Sequence, residues 1–349
     1  MALRLAPPAG GGIIGGMSAE QPMAGRAQPA PEPRTPNPPS TVLRAVSASN
    51  GEPAVNPQRS RSLTGFYVAI CVLLALGLLG AWLWTAWNRW WFDAGEAQRR
   101  QAEAARQLGL PVEKAVDLGD GVKLELVLIP AGRFRMGAQA GEGDDQKTGY
   151  QWVRITKPFY VGEYEVTQEV WEKVMGENPS NFKGAKNPVD QVSWDDCQEF
   201  LKKLNALGKE PGAFRLPTEA EWEWACRAGT RTRFCFGDDE GTLGEYAWYD
   251  GNSGSTTHPV GMKKPNAWGL YDCHGNVWEW CGDRYGEDYY ANSPRYDPTG
   301  PATGWGRVLR GGSWRFFPRF CRSSLRLGDG PGCWNYFFGF RLVVVPAGP

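Results

Sequence analysis

The stretch "RLPTEAEWEWACRAGT", residues 215–230, decides how much regular structure the chain can be given. Thr218 and Glu221 stand three apart, the spacing at which a hydroxyl and a carboxylate cap each other's backbone N–H groups at a helix start. Trp222, Ala225 and Cys226 follow at helical spacing and predict an inward face, with Gly229 as the stop. "SWDDCQEFLKKLNAL", 193–207, repeats the pattern: Ser193 and Asp196 cap, and Cys197, Phe200, Leu201 and Leu204 form the apolar face. "TQEVWEKVMG", 167–176, predicts a third helix, and "KLELVLIPAGRFRMG", 123–137, predicts strand, turn and strand. With 45 Gly in 349 residues and many Trp and Tyr, the remainder reads as short strands and long loops. The expected class is α+β with much irregular loop, one domain over residues 112–349.

Upstream the text changes. Residues 1–62 are rich in Pro, Ala and Gly and nearly free of aromatics, so they predict a disordered tail that cannot bury enough surface to offset chain entropy. "LTGFYVAICVLLALGLLGAWLWTAW", 63–87, carries no charge and is long enough to cross a bilayer, with Trp82, Trp84, Trp87, Trp90 and Trp91 crowding one end as an interfacial belt. Residues 88–111, including the Ala-, Gln-, Arg- and Glu-rich run 94–109, predict a helical juxtamembrane stalk. Arg59 and Arg61 flank the span closely on its N-terminal side, while Arg89 on the other side is offset by Asp93 and Glu96. The tail is therefore expected in the cytoplasm and the domain outside, in a single-pass membrane protein. Charge balances at 38 basic against 38 acidic residues, so no strong field favours nucleic acid.

Beyond Cys71 in the span, Cys197, Cys226, Cys235, Cys273, Cys281, Cys321 and Cys333 match no zinc spacing, and two histidines, His258 and His274, are too few for a His-rich metal site. An exported domain would form disulfides from such a set; a cytoplasmic one would keep the thiols buried and reduced.

"IPAGRFRMG", "YEVTQEVWEKVMGENPS", "PVDQVSWDDCQEFLKKLN", "RLPTEAEWEWACRAGT", "NAWGLYDCHGNVWEWCGDRY", "RVLRGGSW" and "FGFRLV" occur in that order over about 125–345. Together they resemble the formylglycine-generating enzyme, or sulfatase-modifying factor, family. The resemblance implies a C-type-lectin-like fold and bound calcium. It places calcium on "DCHGNVWEW", through Asp272, Gly275, Val277 and Glu279, an oxygen set that suits this hard cation. The family's enzymes convert a substrate cysteine to formylglycine with copper(I) on two cysteines, soft ligands for a soft ion. Ser313, Trp278 and Arg326 match residues of that pocket. Counted forward from Ser313, the copper positions fall on Phe316 and Cys321. Counted back from "GFR", Cys321 instead matches a structural cysteine bonded to Cys226, and no copper ligand survives. The second count is favoured, since "CRSSLR" is similar to non-catalytic relatives. A related branch that makes sulfoxides with a three-histidine iron site lacks its counterpart here.

What fills the pocket region is "RFFPRFCRSSLRLGDGPGCWNYFF", 315–338. Plain relatives carry Asn and Arg there. Phe, Leu, Asp, Cys and Tyr are each reached from an AAC codon by changing adenines alone, the pattern left by diversity-generating retroelements, whose variable proteins use this fold. Arg315, Phe316, Phe317, Arg319, Phe320, Leu325, Leu327, Asp329, Trp334, Tyr336 and Phe337 are therefore expected to form a binding face for a protein or peptide ligand. Phe316 and Phe317 are adjacent in a strand-like run, so at most one faces the core. Packing of all these rings into the core is the competing reading. The expected function is ligand binding without catalysis; the alternative is formylglycine generation through Cys321 and Ser313.

Overall fold

A computed structural model describes residue 68 and residues 70–79, 93–138 and 150–346. The expected tail 1–62 lies outside the described residues, as does most of the expected span 63–87. Residues 70–79 are helical, with Val72, Leu73, Leu74, Leu76 and Leu78 exposed. Among the described residues no helix is long and apolar enough to cross a membrane.

The elements between residues 81 and 346 belong to one compact unit. They are α1 (Ala94–Leu108), β1 (Glu113–Gly119), β2 (Val122–Ile129), β3 (Gly132–Gly137), β4 (Tyr150–Ile155) and β5 (Phe159–Gly162), then α2 (Gln168–Met175), α3 (Trp194–Ala206), β6 (Phe214–Arg215) and α4 (Glu219–Arg227). After α4 the chain runs through long loops with α5 (Leu243–Tyr246), β7 (Trp278–Arg284), α6 (Tyr289–Asn292), β8 (Arg307–Arg310), β9 (Arg326–Asp329), β10 (Phe338–Gly339) and β11 (Val343–Val344). They form a five-stranded sheet β1-β2-β5-β11-β6, a four-stranded sheet β10-β7-β8-β9 and the pair β3-β4.

The large sheet is covered on both faces, and side-chain alternation says how. Leu124, Leu126 and Leu128 of β2, Tyr160 of β5 and Val344 of β11 enter one core with α2 and α3. Val127, Ile129, Phe159, Val161 and Val343, the intervening residues, enter a second core with α4 and the β3-β4 pair. Trp171 stacks on Phe200 at 5.2 Å in the first, and Phe340 meets both rings edge-on. In the second, Trp224 packs against Phe134 and Trp268.

Both predicted capping boxes form, Ser193 with Asp196 on α3 and Thr218 with Glu221 on α4. The left-handed cap of α4 is Ala228 (φ 45°), one residue before the expected Gly229. The helix expected as a stalk also forms, as α1, but it does not stand free. Ala97, Gln101 and Ala105 are buried; Gln101 Nε2 donates to the carbonyls of Leu128 and Trp268 at 3.0 Å, and Trp268 Nε1 donates back to Ala97. Its small Ala side chains permit this close approach, so the domain begins at α1 rather than at residue 112.

Helix α4 carries a charged buried face. Glu219, Glu223 and Arg227 recur four apart, on one side. Glu223 accepts from Arg227 Nε (2.8 Å), Gly137 N (2.9 Å) and Arg310 Nη2; Glu219 holds Arg326 through two bonds of 2.8 Å and accepts from Tyr290. Removing one partner from such a set strands its neighbours' charges in the interior. Glu223→Ala should therefore cost about 3–5 kcal/mol, read as a lower denaturant midpoint at unchanged slope; a loss below about 1 kcal/mol would mean that solvent reaches Arg310.

Candidate functional site

The chain leaves β8 through Gly311 (φ 100°) and Gly312 (φ 78°). A Cβ on Gly312 would meet Cys321 Sγ at 2.7 Å, so only glycine lets the segment 311–321 close on itself. This turn buries Ser313 and Trp314 and turns Arg315, Phe317 and Arg319 outward. Trp314 is tied down by its Nε1–H to the Tyr336 carbonyl, its N–H to Asn276 O, and Ser253 Oγ donating to its own carbonyl. A short 3-10 turn, Pro318–Phe320, closes the loop.

From this loop an aromatic ladder climbs out of the core. Buried Trp278 meets Phe316 edge-on at 5.4 Å; Phe316 in turn packs on Phe320 (5.5 Å) and Phe337 (5.4 Å). Tyr336 lies against Phe337 and Trp314, and Phe182 buttresses Trp314 at 5.3 Å and 88°. Such edge-to-face pairs add to area burial and hold rings in place. At the top, Phe317 is 56% and Trp334 47% exposed. Arg315 Nη1 donates to the Tyr336 hydroxyl, and Arg319 lies 4.9 Å over Phe320.

The expected face therefore divides. Arg315, Phe316, Phe317, Arg319, Phe320 and Tyr336 come together at the surface, with Phe316, Phe320 and Tyr336 half-buried at its base, and Trp334, two residues before Tyr336, is exposed as well. Leu325, Leu327, Asp329 and Phe337 do not reach it: all four are at least nine-tenths buried. The reason is local. Leu327 and Asp329 sit in β9 beneath the surface turn, Leu325 just precedes it, and Phe337 enters β10. Phe316 and Phe317 do point to opposite sides, though in a turn rather than a strand.

The counterpart of the copper site is closed. Cys321 is fully buried, and burial pushes its thiol up to about 12. Its thiol donates to the Phe317 carbonyl at 3.8 Å. The expected Cys226–Cys321 disulfide is absent: all eight cysteines are free, and Cys226 Sγ faces Cys273 O, His274 and Ser323 instead. His274 bridges the region, its Nε2 accepting from Cys235 N at 3.0 Å and its Nδ1 lying 2.8 Å from Cys321 O, an arrangement that suits the neutral ring. Ser313 and Trp278 line the base of the ladder, whereas Arg326 is spent on Glu219.

The 272–279 loop only partly suits calcium. Asp272 Oδ1 is buried without a partner, an oxygen left for a cation, while Oδ2 accepts from Gly261 N. Glu279, however, holds Arg341 through both oxygens (2.6 and 2.7 Å) and accepts from Trp222 Nε1. As arranged it offers calcium nothing, and among the described residues no three His, Cys, Asp or Glu side chains are placed to hold a metal ion. Glu165 ties the loop instead, accepting from Val277 N and Asn276 Nδ2. Burial, then the nearby Asp272 and Glu279, raises the Glu165 carboxyl well above its usual range. Sequence reasoning passed over Glu165, Phe182 and Asp190; an acid among apolar neighbours in "YEVTQ" was the signal for the first.

A model of the sulfatase-modifying factor enzyme 1-like domain matches residues 120–345. The formylglycine-generating enzyme of Streptomyces coelicolor is 32% identical over 62% of this chain and 88% of its own. The chaperone protein LppX of Paenibacillus barcinonensis is 31% identical over 54% and 78%. Among solved structures, Treponema denticola variable protein 1 superposes with a TM-score of 0.63 at 36% identity, covering 68% of this chain and all of that one.

Asp190 gives the site a pH signature. It accepts from Asn181 N (2.7 Å) and Phe182 N (3.4 Å), anchoring the loop that buttresses Trp314, and burial raises it to about 6. The folded state then holds the proton more tightly than an unfolded Asp near 3.9. Stability should fall by about 2 kcal/mol as pH rises from about 4 to about 6. Denaturant titrations across that window should lose this slope in Asp190→Asn; a slope unchanged in the variant would assign it elsewhere.

Proposed function

The chain belongs to the sulfatase-modifying factor enzyme 1-like family, and we propose that it is a binding member of it rather than a catalytic one. The observation that carries this reading is the filling of the pocket region: Phe316, a copper position only on the forward count, packs on Trp278, and Cys321 is buried as an unpaired thiol. Above it, Phe317 and Trp334 are left bare beside Arg315 and Arg319, side chains that carry most of the energy in protein interfaces. The ligand is a protein or peptide, a choice that the chaperone name of one relative supports. Likeness to a Treponema variable protein supports a segment altered by adenine-directed diversification. Its signature would be a near-copy of the coding stretch beside a reverse-transcriptase gene.

In the same proposal the apolar span 63–87 anchors the protein once, with the tail inside and the domain outside; tags on either side, tested for protease access, report the orientation. Calcium enters through Asp272 and the carbonyls of Gly275 and Val277, with Glu279 joining only if Arg341 releases it. Calcium should then raise the melting temperature of the wild type and not of Asp272→Ala; equal melting with calcium and with chelator in both proteins removes the ion from the reading.

The second reading, formylglycine generation, draws on the match to the Streptomyces enzyme and on the retained Ser313 and Trp278. One variant set separates the two. Phe317→Ala with Trp334→Ala should leave the melting temperature unchanged and abolish ligand binding. Phe316→Ala, deeper in the ladder, should cost about 2 kcal/mol or more. Copper(I) uptake that disappears in Cys321→Ser, with oxidation of a cysteine-containing sulfatase peptide by the wild type, would reverse the assignment.

A further inference from the structure

The binding face has a charge character of its own. Arg315 and Arg319 are both exposed, four residues apart in one loop, and neither makes an ion pair with any described residue. Each guanidinium is set by a ring: Arg315 donates to the Tyr336 hydroxyl and lies 5.6 Å from that ring, and Arg319 lies over Phe320 at 4.9 Å and Phe317 at 5.9 Å. A guanidinium steadied by a neighbouring aromatic ring keeps N–H donors for a ligand and loses less freedom on binding. Neither bordering acid forms an ion pair with Arg315 or Arg319 among the described residues. Asp195 meets the face through its backbone N–H on Pro331 O, and Asp250 through its N–H on Phe316 O. Elsewhere the arginines with buried heads are paired: Arg227 and Arg310 with Glu223, Arg326 with Glu219, Arg341 with Glu279. Two unpaired cations, with bare Phe317 beside Arg319 and exposed Trp334 two residues before Tyr336, complement a ligand that brings carboxylates beside apolar side chains.

We propose that this face recognises an acidic peptide segment of a partner protein, its Asp or Glu carboxylates on Arg315 and Arg319 and an adjacent apolar side chain between Phe317 and Trp334. The inference rests on the binding-face reading above. The probes are a Glu- and Trp-containing peptide, the same peptide with Gln for Glu, and heparin, measured by fluorescence anisotropy on the full chain. Proteins compared are the wild type, Arg315→Gln with Arg319→Gln, and Phe317→Ala with Trp334→Ala. The Glu peptide should bind the wild type at least about tenfold more tightly than its Gln isostere and than the arginine double variant. Its affinity should also drop several-fold between about 50 and about 300 mM salt, with all three proteins melting alike. Equal binding of both peptides, lost in the Phe317 and Trp334 variant alone, would keep the face and overturn the acidic preference. Heparin binding as tightly as the Glu peptide, whatever the aromatic residues, would reduce the site to general cation attraction. Failure of the wild type to bind either peptide would overturn the proposed ligand class.

Discussion

The buried ion network on α4 is the constraint on which the candidate site depends. Glu223 holds Arg310, and Glu219 holds Arg326. Those two arginines bracket the loop that carries most of the binding face: Arg310 precedes Gly311, and Arg326 follows Leu325. Both ends of the loop are thus clamped to one helix, whose own start is fixed by a capping box and whose side is packed against Phe134 and Trp268. Charges in the interior tolerate few alternative arrangements, because any rearrangement strands one of them. A further pair, Arg341 with Glu279, fixes the second loop from its far side, just past β10. The frame is specified by ionic geometry, which leaves the exposed residues between the clamps, Arg315, Phe317 and Arg319, free of any role in holding it.

The ladder of rings uses that freedom in a graded way. Trp278 is wholly buried, Phe316 packed on it is half-buried and Phe317 is exposed, so the rings pass from core to surface within a few contacts. Rings at the base gain both burial and edge-to-face contacts, while those at the top stay in solvent. Under the proposed binding role, rigidity inherited from the base would lower the entropy lost at the top. In the same packing the ring of Phe316 sits edge-on to Trp278, and Cys321 lies buried against Gly312.

Much of this was legible before any coordinates. The capping boxes marked the starts of two helices to the residue, and the ordered motifs identified the fold, because both rest on local spacing. Docking of α1 was not legible, since Ala97, Gln101 and Ala105 look like any polar helix face until Leu128 and Trp268 are brought to them. Nor was the division of the candidate face, because tertiary pairing of β9 decides that Leu327 and Asp329 turn inward. Cys226 and Cys321 were joined by alignment, yet His274 stands against both in the fold and their sulfurs stay apart. Glu279 was assigned to calcium by its motif, while its long-range partner Arg341, 62 residues away, claims both its oxygens.

The division also limits what diversification could achieve. Adenine changes at the codons for Leu325, Leu327, Asp329 and Phe337 would alter volume or charge in a packed interior, where even one methylene is felt. Charge at Leu327 would leave an uncompensated ion beside Trp280 and Leu309 in the same core. Changes at Arg315, Phe317, Arg319 and Trp334 meet no such resistance, since these side chains already face solvent. Phe316, Phe320 and Tyr336 fall between, open to exchange among rings but costly to replace with small or charged groups. The sequences such a surface can explore are therefore set by burial rather than by the genetic code: a few fully variable positions stand on an aromatic floor that must stay aromatic for the face to keep its shape.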